Sequence, residues 1–253
     1  MRPVIKHPLR FTFLALALFG CDKKVESSPT PLTAGPVSEA VPLPAPAVTP
    51  TVPAHMSEHF LKSAELKKAV IDGKLGDFKA SAVWMAEHEL AAEYPENWKG
   101  GVDAMKDSAR LGRDAATLEA AAASLGATGA ACAACHEKLG GPKVTPVGEP
   151  PAEGSGNPPH MLRHQWAMDL MWLGLVTPSD EAWVKGAEVM SDAPLTPGTI
   201  SPTQTVTRAV AKLADETHAA AAAARNVEKS ARGKVYGELL LSCTGCHQAL
   251  AKK

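Results

Sequence analysis

One five-residue pattern occurs twice in this chain and takes four of its five cysteines. Cys132-Ala133-Ala134-Cys135-His136 and Cys243-Thr244-Gly245-Cys246-His247 both read Cys-x-x-Cys-His. Thiols three positions apart share one face of a helix, and the following imidazole emerges beside them. The pattern therefore demands a helix at two places in the chain, each presenting two sulfurs and a ring nitrogen together.

Three chemistries use cysteines at this spacing. Zinc ribbons pair two such knuckles, usually about 15–20 residues apart, but here 111 positions separate them. A redox dithiol wants a strand–helix–strand setting, which the sequence does not offer. The third is c-type haem attachment, the only one that also uses the trailing histidine. Two thiols on one helical face can form thioethers with the two vinyl groups of a porphyrin, and the histidine then binds iron through a ring nitrogen. The motifs thus imply two covalently attached c-type haems, held through Cys132, Cys135, Cys243 and Cys246, with His136 and His247 on the irons.

The fifth cysteine closes an export leader. Arg2, Lys6 and Arg10 precede an apolar run from Phe11 to Gly20, too short to span a bilayer as a mature helix. Residues 1–20 read as a signal peptide, and Leu18-Phe19-Gly20-Cys21 resembles a bacterial lipobox with Cys21 as the lipid attachment site. The expected location is the periplasmic side of a bacterial membrane, lipid-anchored. Residues 21–54 carry eight prolines and few large apolar side chains. Such a segment cannot bury a core and reads as a disordered tether, reaching up to roughly 100 Å at about 3.1 Å per residue.

Beyond the tether the chain repeats itself. His55-Met56-Ser57-Glu58-His59 and His160-Met161-Leu162-Arg163-His164 share His-Met-x-x-His at an offset of 105, as do Met85 with Met190 and Phe78 with Trp183. The haem motifs are offset by 111, so the second copy needs a small insertion, placed near Pro194–Gly198. Gly140–Pro159 is a linker by composition. Alanine is abundant and no alternating strand pattern persists. The expectation is an all-α chain of two tandem four-helix bundles, 55–139 and 160–253, joined by linker 140–159, with each motif near the end of a last helix. Expected helices are 57–71, 77–93, 96–111 and 114–139 in the first copy, and 161–175, 178–191, 202–224 and 226–251 in the second. Asp114, Thr177 and Asn226 are the expected N-caps.

Four helices with Cys-x-x-Cys-His close to the end of the last one resemble the class II cytochromes c, the cytochrome c-prime group. The resemblance covers about residues 55–253 as two copies and implies one haem within each antiparallel bundle, with His136 and His247 as proximal ligands. Glu137-Lys138-Leu139 and Gln248-Ala249-Leu250 depart from the family's habit of a Tyr or Arg shortly after the haem histidine. In that family the opposite side of the iron is vacant or filled by a Met of the first helix. Here three arrangements stay open: His59 and His164 as distal ligands, Met56 and Met161 in their place, or a vacant position. His88 and His218 have no counterpart in the other copy and read as surface residues. Gly126 and Gly129 either let a porphyrin approach the backbone or simply weaken a helix.

The functional expectation is an electron-transfer haem protein, not an enzyme, working between a redox donor and an acceptor protein. The alternative is a c-prime-like binder or sensor of NO or CO. A dihaem peroxidase is disfavoured, since no acid–base pair stands out. There is no Gly-rich phosphate loop, hydrolytic triad or basic patch, so nucleic acid is not an expected partner. A net charge of −1 leaves little long-range steering.

Overall fold

Helix α4, Leu118–Leu139, is the longest among the described residues and carries the first motif. Its alanines favour the helix, while Gly126 and Gly129 each cost it about 1 kcal/mol in intrinsic propensity, so packing must hold it. Thr117, not Asp114, is its N-cap: the Thr117 hydroxyl accepts from the Ala120 amide at 3.2 Å. Asp114 instead ends the preceding helix, its amide donating to the Arg110 carbonyl and its carboxylate accepting from Arg113. Gly140 ends α4 in the left-handed conformation at φ 70°, where a side chain would be strained.

The computed structural model describes residues 52–89, 94–144, 148–154, 156–192 and 208–251. The leader 1–20, Cys21 and nearly all of the 21–54 tether lie outside the described residues, as do the Pro194–Gly198 insertion and the start of the helix expected from Pro202. Among the described residues the chain is all-α, without a strand. In order come α1 (Val52–Ile71), α2 (Leu75–Glu87), α3 (Glu96–Arg113), α4, α5 (Asn157–Val176), α6 (Asp180–Ser191), α7 (Arg208–Ala224) and α8 (Arg232–Ala251), with a 3₁₀ turn at Lys229–Ala231 before α8.

The other two expected N-caps, Thr177 and Asn226, are not the ones the structure uses, and α1, α2 and α5 start earlier than expected, at Val52, Leu75 and Asn157. Ser179 caps α6 by accepting from the Ala182 amide at 3.3 Å, because Thr177 already donates its hydroxyl to the Leu173 carbonyl one turn back. Asn226 does not start α8; its amide donates to the Ala223 carbonyl at the end of α7, and the 3₁₀ turn intervenes.

Consecutive helices pack on one another from α1 to α4 and from α5 to α8. All of them belong to one unit, Ala47–Lys253, and one apolar core takes residues from both copies. Repeat-related positions fill it in parallel: Phe78 and Trp183, Met85 and Met190 are all fully buried. Lys67 of α1 donates to Asp169 of α5 at 2.6 Å across the copies and lies over the Trp172 ring.

The copies meet chiefly where α4 crosses α8. A Cβ on Gly126 would fall on the Gly233 carbonyl, and one on Gly237 would sit 2.7 Å from the Ala122 carbonyl. Pairing 126 with 233 and 122 with 237 makes the helices antiparallel, at a separation only small residues permit. Gly126 and Gly129 both have a packing role that the sequence does not show. Gly126 serves a helix crossing, and Gly129 makes room for Trp172 and Leu175. Helix α4 is long and apolar enough to cross a membrane by length and composition, but here it packs against α3, α5 and α8.

Replacing Gly126 with Ala is expected to cost about 1–3 kcal/mol, because the added methyl has no room. Gly100, exposed in α3 with nothing within 4 Å of where a Cβ would stand, is the control. Gly100→Ala should gain about 0.5–1 kcal/mol. Urea unfolding midpoints compare the two.

Candidate functional site

The antiparallel crossing sets the positions of the two motifs. Cys135 lies nine residues beyond Gly126, and Cys246 thirteen beyond Gly233. Running in opposite directions at about 1.5 Å per residue, the two cysteine pairs end roughly 30 Å apart along the helix axes. One zinc ion cannot bridge them.

All four motif cysteines are free thiols. Cys132 and Cys243 are half-buried residues packed against the core, and burial pushes their thiols up to about 12 and about 11. Cys135 and Cys246 also shift upward, again chiefly through burial. A disulfide oxidoreductase needs the reverse, a thiol acidified by its surroundings. Cys135 faces α3, where a side chain on Gly101 would collide with its sulfur.

His136 is oriented from behind. Its Nδ1 lies 2.6 Å from the Val176 carbonyl oxygen at the end of α5. A carbonyl only accepts, so in the neutral ring Nδ1 carries the proton and Nε2 keeps its lone pair. A ring held by Nδ1–H on a backbone carbonyl is the usual support of a metal-binding histidine. Gly141, against which the imidazole packs, leaves space for the ring as the chain turns away from α4. His247 is exposed on α8, near enough that its charge would lower the pKa of His164.

The larger departure from the sequence reading is on the other side. His55, His59 and His88 gather in one cluster, His160, His164 and His218 in another, and in each the three ligand nitrogens lie within 4.8 Å of one another. His88 and His218 are therefore not surface residues of no consequence. His218 is 5% exposed, and His88 stacks on Trp84 with ring centroids 4.0 Å apart. The i,i+4 pairs 55/59 and 160/164 come from α1 and α5 and belong to the repeat. The third imidazole does not: His88 follows α2, whereas His218 lies on α7. Unmatched positions carried no signal in the repeat, and only the tertiary fold brings them in.

The first trio is hydrogen-bonded at its rim. His55 Nε2 and Tyr94 Oη are 2.6 Å apart, His88 Nε2 and Glu58 Oε2 2.9 Å, and His59 Nδ1 and Met105 Sδ 3.1 Å. His59 Nε2 is buried without a partner. The second trio is barer: His160 Nε2 and His164 Nε2 are buried and unpartnered, and His218 bonds to the backbone of Met190 and Ser191, outside the trio. Met56 and Met161, the alternative distal residues, are half-buried.

Burial favours the neutral form of His55, His59, His160, His164 and His218. It lowers His59 and His164 to about 3 and His160 to about 4, with neighbouring imidazoles adding to the effect. His55 and His218 also shift downward, chiefly through burial. Neutral imidazole is the form that binds metals.

No family model, curated protein or solved structure matches this chain.

A histidine depressed in the folded state takes up its proton only on unfolding. Below the ordinary value of about 6.5 the unfolded chain binds more protons, and stability falls. The chain free of metal and haem should thus lose stability steadily from pH 7 to pH 4. His164→Leu should flatten that decline. Denaturant midpoints across the range test it, and a pH-independent midpoint would contradict the burial described.

Proposed function

We propose that this chain is an exported, lipid-anchored dihaem c-type cytochrome that passes electrons between a donor and an acceptor protein. The observation that carries the reading is the His136–Val176 bond. It sits within a Cys-x-x-Cys-His motif whose thiols are free, and it holds the imidazole in the tautomer that binds iron.

Cys132 and Cys135 would hold one haem and Cys243 and Cys246 the other, each S–H adding across a vinyl double bond with no atom lost. His136 and His247 would bind the irons, and each set of four helices would serve as one haem bundle, as the resemblance to class II cytochromes c implies. When bound, each haem supplies an iron that takes up and gives back one electron. His59 and His164 are the proposed ligands opposite, ahead of Met56 and Met161, because each buries an Nε2 that has no other partner. A second imidazole would set a lower potential than a methionine. The surrounding residues keep water from this side: Trp84 packs edge-on to His59, and Met105 bonds its Nδ1.

The roughly 30 Å between motifs suits two separate electron ports better than one shared centre. Anchorage at Cys21 on the periplasmic side, by residues 1–21, would keep the protein at a membrane while the tether lets it reach partners.

Absorption spectra test this reading. Both haems should show six-coordinate low-spin bands, and the reduced protein should not respond to CO. Replacing Cys132 and Cys135 together with Ser should halve the haem count in a pyridine haemochrome assay. A high-spin spectrum that shifts with CO would favour gas binding instead, and peroxide turnover with a reduced donor would favour an enzyme.

A further inference from the structure

An iron with a proximal histidine has room for one more imidazole, yet each copy gathers three. The surplus is not a by-product of duplication. Duplication accounts for the i,i+4 pairs, but the third ring comes from the end of α2 in one copy and from the middle of α7 in the other. Two unrelated positions have each completed a trio at corresponding places. In the second trio no hydrogen bond claims His160 Nε2 or His164 Nε2. Buried polar atoms without partners cost about 1–3 kcal/mol each, so two such rings together call for an occupant.

We propose that each trio, His55/His59/His88 and His160/His164/His218, is a binding site for a divalent transition metal of the zinc or copper class. We further propose that filling it draws His59 and His164 off the haem irons. The second step rests on the haem reading above; the first does not.

Three imidazoles and an open fourth position form a donor set that zinc and copper prefer over calcium or magnesium, which take oxygen. Tetrahedral zinc at about 2.0–2.1 Å from nitrogen needs ring nitrogens about 3.4 Å apart. The observed limit of 4.8 Å closes to that by small side-chain rotations. Glu58, bonded to His88, already orients one ring of the first trio from outside, and Tyr94 orients another. The second trio has no side-chain support of this kind, so the first should bind the more tightly. Because His59 and His164 belong to both assignments, metal and iron compete for them. An occupied trio leaves the iron five-coordinate and open to a small ligand. The carrier and the gas binder then become two states of one molecule.

Zinc, which brings no redox chemistry of its own, is the probe. Zinc chloride is titrated into the full, haem-loaded protein, with bound metal counted by elemental analysis and the spectrum followed throughout. The expected result is two zinc ions per chain, conversion of low-spin to high-spin bands, new CO reactivity of the reduced protein, and reversal by EDTA. These readouts need no variant. His88→Ala and His218→Ala each remove a trio ligand without touching the proposed iron ligands. Each should weaken zinc at one site at least tenfold and blunt the spectral change at one haem. Failure to bind zinc, or binding by both variants as tight as by the unaltered protein at both sites, overturns the metal site. Zinc bound through the trios without spectral change overturns the competition. A chain that carries no tetrapyrrole yet binds two zinc ions through the trios contradicts the haem reading and the competition, and upholds the metal site.

Discussion

The antiparallel contact of α4 with α8 governs this molecule. Gly126 lies on Gly233 and Ala122 on Gly237, and that close approach lets one core serve both copies. The same contact sends the two cysteine pairs to opposite ends. It also brings the tail of α8 against the tail of α1, where Thr244 donates to the Val70 carbonyl at 2.5 Å. On the other side it brings the tail of α4 against the tail of α5, where His136 meets Val176. Each motif-bearing helix is thus steadied by the first helix of the other copy.

That exchange bears on function. If each copy were a free-standing bundle, the His136 ring would have to be oriented by its own four helices. Instead its orienting carbonyl belongs to α5, so the ligand geometry proposed for one haem depends on the whole unit being assembled. The imidazole trios are different in kind, each built from helices of its own copy. One side of the iron site proposed at His136 is therefore set by the interface between copies and the other side within a copy, and the two can be perturbed separately.

Much of this was legible in the sequence because local chemistry decided it. Alanine content and the lack of alternation indicated helices, and the 105-residue offset paired Phe78 with Trp183 and Met85 with Met190, four positions that the structure buries in the core. Helix ends were less legible. Asp114 is a good cap by residue type, but Arg113 beside it holds the carboxylate and Thr117 takes the cap. The roles of Gly126 and Gly129 depended on what lies opposite, and the α8 residue facing Gly126 is more than a hundred positions away. His88 and His218 fall outside the repeat, and only tertiary packing carries them to the paired histidines. A repeat points to the positions its two copies share; it is silent on positions that only one of them carries.

The claim on which the account stands is covalent haem at both pentapeptides. Peptide mass mapping of protein matured in a cell able to attach haem c tests it most directly. The account predicts added tetrapyrrole mass on the peptide containing Cys132 and Cys135, and again on the one containing Cys243 and Cys246. Unmodified sulfhydryls at either pair would contradict it.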